Sequence, residues 1–170
     1  MYHRILVANR SDCALKLIQA CHRLNIEAYD IAAQDDVSNI LRTQADKLIY
    51  AGHSRESYTD QDNILETALH YGCEAILPGW GFLAEDFQFA RRCRRLGIHF
   101  IGPSSKQIQL FGDKIKTIQL FEPAFQQTHP FVLCDDKDFN EKIPKLPAPY
   151  MLKPRFGGGG KNISRKNIPN

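Results

Sequence analysis

The residues best suited to chemistry lie near the end of the 170-residue chain. Tyr150-Met151-Leu152-Lys153 leads through Pro154-Arg155-Phe156 into Gly157-Gly158-Gly159-Gly160-Lys161. A run of glycines has no side chains to shield its backbone N–H groups, so it can wrap closely around phosphate oxygens. Lys153 and Lys161 on its flanks add positive charge. A functionless glycine-rich tail has the same composition. The apolar stretch before the run reads as a strand, and a strand entering a glycine loop favours the phosphate reading.

Other reactive side chains form no constellation. The histidines at 3, 22, 53, 70, 99 and 129 show no i,i+4 pairing, so no metal site is expected. Cys13 falls at the predicted start of a helix, where a thiol pKa drops, but a packed, inert thiol is the favoured reading. Ser11 has no His–Asp partners, which leaves a hydrolase triad unsupported. Asp135-Asp136 reads as a turn. The cluster Arg91-Arg92-Cys93-Arg94-Arg95 sits in a helical pattern and reads as a solvated face. Lys and Arg number 22 against 19 for Asp and Glu, an excess too small to argue for nucleic acid. No apolar run approaches the roughly 20 residues of a membrane span, and the N-terminus enters a strand pattern with no secretory signal. The cysteine count is odd, at 5, with no C-x-x-C pair, which fits reduced thiols in a cytoplasmic protein.

The elements that must position the loop follow from periodicity. Apolar residues make up 43% of the chain, which suits a packed core. Short apolar runs at 4–8, 26–31, 47–50, 74–77 and 98–101 read as strands. Between them, helical spacing joins Ala14, Leu17, Ile18 and Cys21, then Ile64, Leu65, Ala68 and Leu69, then Phe89, Ala90, Cys93 and Leu96. Asp12, Asp60 and Asp86 are the expected N-caps, and Ser104 with Gln107 makes a capping box. The stretch 33–45 reads as a loop with a short helix. Strand–helix alternation of this kind predicts an α/β fold, a Rossmann-like doubly wound parallel sheet over 1–102. Loops 9–12 and 78–85 are then expected together at the carboxyl ends of the strands. Residues 103–125, with a helix from Lys114 to Phe121, read as a connecting segment. Residues 126–170 read as a partial second unit with strands at 131–133 and 150–153.

Together these segments resemble biotin carboxylase, the ATP-grasp component of acetyl-CoA, propionyl-CoA and related carboxylases, whose module also opens pyruvate carboxylase. The resemblance runs in order from residue 2 to 122 and more loosely from 148 to 161. It is carried by Ile5 to Arg10, Ser57-Tyr58 with the following helix, the loop Pro78-Gly79-Trp80-Gly81-Phe82-Leu83-Ala84-Glu85, Phe100-Ile101-Gly102-Pro103-Ser104, and Gly112-Asp113-Lys114. It implies a pre-ATP-grasp domain over 1–102 and the start of an ATP-grasp lid over 126–170. It also implies ATP- and Mg²⁺-dependent transfer of bicarbonate carbon to biotin on a carrier, with biotin as substrate and not attached to this chain. Lys114 and Lys153 match phosphate-contacting lysines, and Gly157, Gly158, Gly159 and Gly160 match the lid. Trp80, Gly81 and Glu85 match the loop facing biotin. The partners implied are carboxylase subunits or a second copy of the chain, with no nucleic acid and no membrane.

The sequence also departs from the family. Ser11 and Asn162 stand where the family has glycine, Leu41 and Leu77 where it has histidine, and Trp80 where it has tyrosine. The family's paired acidic Mg²⁺ ligands and bicarbonate-binding arginine correspond to positions beyond Asn170. The expectation is therefore a truncated biotin carboxylase portion, inactive alone in phosphate release from ATP, with weak nucleotide affinity and a mobile stretch at 154–170. The alternative is a diverged, non-catalytic domain that binds a nucleotide or a partner. A relation to purine or carbamoyl phosphate ATP-grasp ligases is disfavoured by Phe82-Leu83-x-Glu85 and Gly112-Asp113-Lys114.

Overall fold

Each of the five apolar runs coincides with a strand to within a residue or two at each end in the computed structural model, which describes residues 1–36, 44–121, 131–135, 137–143, 148–160 and 162–166. β1 (Arg4–Val7), β2 (Glu27–Ala32), β3 (Lys47–Tyr50), β4 (Ala75–Leu77) and β5 (His99–Phe100) pair in parallel in the order β3-β2-β1-β4-β5. The order reverses between β1 and β4, where Val7 lies beside Asp30 on one side and Leu77 on the other. In open α/β sheets, ligands sit beyond the carboxyl ends of the strands at such a reversal.

β1 shows how both faces of the sheet are covered, because successive side chains point to opposite faces. Ile5 and Val7 pack with Ala14, Ile18 and Cys21 of α1 (Ser11–Arg23). Leu6 and Ala8 join the other cluster, with Ile64, Leu65 and Ala68 of α2 (Gln61–His70) and Phe89, Ala90 and Cys93 of α3 (Phe87–Arg95). The expected doubly wound layer is therefore present. Leu69 and Leu96, read as part of the apolar stripes, are instead 51% and 45% exposed, each at the last turn or end of its helix.

Two of the three expected N-caps form. Asp60 accepts from the Asn63 amide at 3.1 Å, and Asp86 accepts from Gln88 and Phe89 at 2.8 and 3.0 Å. The Ser104 capping box is reciprocal: the Ser104 amide donates to Gln107 Oε1 at 2.8 Å, and the Gln107 amide donates to Ser104 Oγ at 3.3 Å. It opens α4 (Ser105–Phe111). Asp12 is not a cap. It lies in the first turn of α1, where it pairs with Lys16 at 3.7 Å, and the flanking Arg10 supplies no side-chain cap. Ser11 takes the left-handed conformation, φ 54°, that glycine adopts without penalty. Ser11→Gly is expected to stabilise the fold by about 1 kcal/mol. Thermal unfolding followed by circular dichroism checks this, and an unchanged or lower midpoint would contradict it.

The chain divides into two compact units, Met1–Gln109 and Leu110–Asn170. The second contains α5 (Lys114–Phe121), α6 (Phe139–Lys142) and an antiparallel hairpin of β6 (Tyr150–Leu152) with β7 (Ser164–Lys166). Phe131 to Leu133, read as a strand, is not one; it pairs with no strand among the described residues. β7 falls inside the stretch expected to be mobile. Its sequence Ser-Arg-Lys has no apolar alternation, and all of it is exposed. The expected short helix within 33–45 falls largely at 37–43, outside the described residues, as does Leu41. No described helix is long and apolar enough to cross a membrane.

Candidate functional site

At the carboxyl edge of the sheet, polar side chains fix the loops that follow β1, β2 and β4. Asn9, 2% exposed, donates through Nδ2 to the carbonyls of Pro78 and Trp80 at 2.5 and 2.8 Å. Its Oδ1 accepts from the Arg10 amide at 2.8 Å. One buried amide thus ties the loop after β1 to the loop after β4, as the shared-edge expectation requires. Arg10 donates from Nε and Nη2 to both oxygens of buried Asp36, at 3.0 and 3.1 Å. The Tyr58 hydroxyl donates to the same carboxylate at 2.8 Å while accepting from the Ala33 amide at 3.1 Å. This network was not read from the sequence. The signal was there in polar residues placed directly after strands, where a buried loop must find partners for its backbone.

The loop after β4 is built from unusual backbone. Gly79, Gly81 and Phe82 have φ of 65°, 74° and 44°. Gly79 lies directly over α1, so close that a Cβ there would stand 2.8 Å from Cys13 Sγ and 2.9 Å from Leu17 Cδ1. Cys13 is accordingly a packed residue, 7% exposed. Phe82 starts a short 3₁₀ turn to Glu85 and lies against Tyr58 with ring centroids 5.3 Å apart. Trp80 is 72% exposed, Gly81 has open space around its Cα, and Glu85 is exposed. Trp80 and Glu85 are therefore exposed on a turn whose Pro78 and Trp80 carbonyls Asn9 holds, and Gly81 is half-buried.

In the second unit, Asp113 organises the glycine loop. Its carboxylate accepts the Ile115 and Lys116 amides at 3.1 and 3.3 Å, satisfying the start of α5. The same carboxylate takes a two-pronged contact from Arg155, Nε at 3.0 Å and Nη2 at 2.7 Å. Hydrogen bonding to Arg155 chiefly, with the helix amides adding to it, holds the Asp113 carboxyl at about 2. Beside this clamp the Lys114 amide donates to the Arg155 carbonyl at 3.2 Å, and Lys114 Nζ donates to the Gly157 carbonyl at 2.7 Å. The structure thus brings Lys114 to the glycine run. Gly157, Gly159 and Gly160 all have positive φ, 100°, 65° and 73°, with open space where a Cβ would be, so conformation rather than crowding selects glycine. Lys153 is exposed and has no polar partner among the described residues. Lys161 lies outside them, and the following Asn162 takes the left-handed conformation, φ 58°. The Asp113–Arg155 pair was missed; only Lys114 was singled out.

Three of the other thiols, Cys21, Cys73 and Cys93, are buried, and Cys134 is exposed. Burial pushes Cys93 up to about 12 and Cys73 up to about 11, and it raises Cys21. No group of His, Cys, Asp and Glu among the described residues is arranged to hold a metal ion. Asp135 forms the expected turn, accepting the Lys137 and Asp138 amides at 2.9 and 3.1 Å, while Asp136 lies outside the described residues.

A parallel sheet in this order, with fixed polar loops at its reversal point, defines a Rossmann-like domain of the kind that opens ATP-grasp enzymes. The chain belongs to the family described as biotin carboxylase, N-terminal domain, which matches residues 1–108. It is 37% identical over 165 residues to a biotin carboxylase of Halalkalibacterium halodurans, covering 94% of this chain and 36% of that protein. It is 36% identical over 169 residues to the 2-oxoglutarate carboxylase small subunit of Hydrogenobacter thermophilus, covering 96% of this chain and 35% of that one. The fold matches the biotin carboxylase domain of the Hydrogenobacter thermophilus enzyme, solved with MgADP and bicarbonate. The TM-score is 0.88 at 35% identity, over 98% of this chain and 38% of that chain. It also matches a nucleotide complex of Campylobacter jejuni biotin carboxylase, with a TM-score of 0.88 at 29% identity, over 99% and 39%. The chain therefore spans little more than a third of the relatives it matches.

Proposed function

We propose that this chain contributes the N-terminal part of a biotin carboxylase, in which ATP and Mg²⁺ activate bicarbonate for transfer to biotin on a carrier. The observation that carries the reading is Lys114 Nζ held at 2.7 Å from Gly157, in a loop clamped by Asp113 and Arg155. A cation fixed beside a glycine backbone can meet transferring phosphate oxygens, where it offsets developing charge. The glycine loop, free of side chains, can then close over the phosphates and exclude water. Mg²⁺, when bound, would offset negative charge on the phosphates, and no group of His, Cys, Asp and Glu among the described residues is arranged to hold it. Lys153, exposed on the strand entering the loop, is the second phosphate contact. Trp80, Gly81 and Glu85 form the surface offered to biotin. Five free thiols support a cytoplasmic, reducing setting, and carboxylase subunits are the partners.

Calorimetric titration of the chain with ATP, with and without Mg²⁺, tests the nucleotide site. The expected result is weak binding, with Kd on the order of 1 mM. Lys114→Ala is expected to weaken it about tenfold, the scale of one charge-assisted contact. Absence of binding, or binding indifferent to Lys114→Ala, would remove the nucleotide role. Fusing the chain to the remainder of the Halalkalibacterium halodurans enzyme separates catalysis from binding alone. Biotin-dependent phosphate release that is lost with Lys114→Ala supports the enzyme reading. Nucleotide binding without turnover favours a non-catalytic domain.

A further inference from the structure

We propose that the first unit carries a second ligand site, for a phosphate monoester borne on a flat apolar group, in the cleft between the end of α3, the open edge of β5 and the start of α4. The cleft has a volume of about 580 Å³, within the usual range of roughly 300–1,000 Å³ for small-molecule sites. Its floor is apolar: Ala90, Ile98 and Phe100 line it and are each under a tenth exposed. Its polar lining is of one charge. Arg94 and Lys106 are both exposed, and neither side chain makes an ion pair or hydrogen bond to the described residues. Arg92 on the same helix, by contrast, is tied to Asp62 and to Gln61. No Asp or Glu is among the described residues lining the cleft. Two unpaired cations with no counter-charge favour a dianion over a single carboxylate.

The backbone adds a donor. Among the described residues β5 is an outer strand, paired only with β4. The His99 amide donates to Glu74 and the Ile101 amide to Ile76, both at 2.9 Å. Alternate amides along a strand point to opposite sides. The Phe100 N–H between them therefore turns away from β4, toward the open edge. Ser105 adds a hydroxyl at the rim. Arg91 and Arg95, three before and one after Arg94, are exposed and extend the positive field that draws an anion toward the cleft.

The site is distinct from the glycine loop, and its test does not involve ATP. The full chain, labelled with ¹⁵N, is titrated with phenyl phosphate and separately with inorganic phosphate while backbone amide signals are followed. Saturable shifts are expected within 90–106, strongest at Phe100 and Ser105, with Kd on the order of 1 mM for phenyl phosphate. Inorganic phosphate, which cannot use the apolar floor, is expected to bind about tenfold more weakly. Arg94→Gln and Lys106→Gln are each expected to weaken phenyl phosphate about tenfold, and their unliganded spectra report whether the fold is intact. Arg91→Gln and Arg95→Gln are expected to leave the affinity within about twofold. The absence of saturable shifts in 90–106 overturns the proposal. So does an affinity that survives both Arg94→Gln and Lys106→Gln, or one that falls as far with Arg91→Gln. Equal affinity for the two phosphates overturns the apolar half of the site.

Discussion

Gly79→Ala is expected to destabilise the first unit by about 3 kcal/mol, the sum of a left-handed backbone penalty and local overpacking. Gly79 has φ 65°, and the added Cβ would stand 2.8 Å from Cys13 Sγ, 2.9 Å from Leu17 Cδ1 and 3.3 Å from Asn9 Nδ2. Relief would require the loop to lift off α1. Lifting it would stretch the two hydrogen bonds by which Asn9 holds the Pro78 and Trp80 carbonyls. The same change would shift Trp80 and Gly81, which stand in the proposed biotin-facing loop. Urea unfolding followed by circular dichroism measures the effect as a shift of midpoint at constant slope. A loss below about 1 kcal/mol would mean that this loop is not seated on α1 as the geometry requires.

The sheet was legible because its signals are local. Each strand is a short apolar run between helical stripes, and Asp60, Asp86 and the Ser104–Gln107 box announce helix starts by side chains a few residues from their partners. The failures share a physical cause, dependence on residues far apart in the chain. Ser164 to Lys166 looks like a polar tail and becomes a strand only because Tyr150 to Leu152 is available across the glycine turn. Phe131 to Leu133 has strand composition but finds no strand partner among the described residues, and composition without pairing does not make a sheet. Asp12 has the residue type of a cap, but the helix already begins at Ser11 with Arg10 at the cap position, two residues before Asp12. The site divides in the same way. Lys114 and the glycines were visible by type and by resemblance. The Asn9, Arg10–Asp36–Tyr58 and Asp113–Arg155 contacts join residues 22 to 71 positions apart, and no periodicity reports them.

Acid is expected to release the glycine loop only well below the ordinary carboxylate range, and Arg155 sets that limit. Asp113 has its carboxyl lowered from 3.8 to about 2 in the folded chain, first by Arg155 and then by the helix amides. A group with a depressed folded pKa stabilises the fold above its unfolded pKa. The contribution of Asp113 is therefore complete above about pH 4 and is lost as pH falls through about 2. Protonation removes the partner of Arg155, which carries the carbonyl that receives the Lys114 amide, two residues before the carbonyl that receives Lys114 Nζ. The Lys114–Gly157 contact should then loosen in the same titration. Carbon-13 signals of the Asp113 carboxyl and amide signals of Ile115 and Gly157 can be followed together from neutral pH downward. All three are expected to move with one midpoint near 2 in the native chain. In Arg155→Gln the Asp113 midpoint should rise toward the ordinary value while the Ile115 amide still reports its cap. An unchanged midpoint in that variant would show that the helix amides alone hold the carboxylate. The glycine loop would then lack the electrostatic clamp on which its proposed approach to phosphate depends.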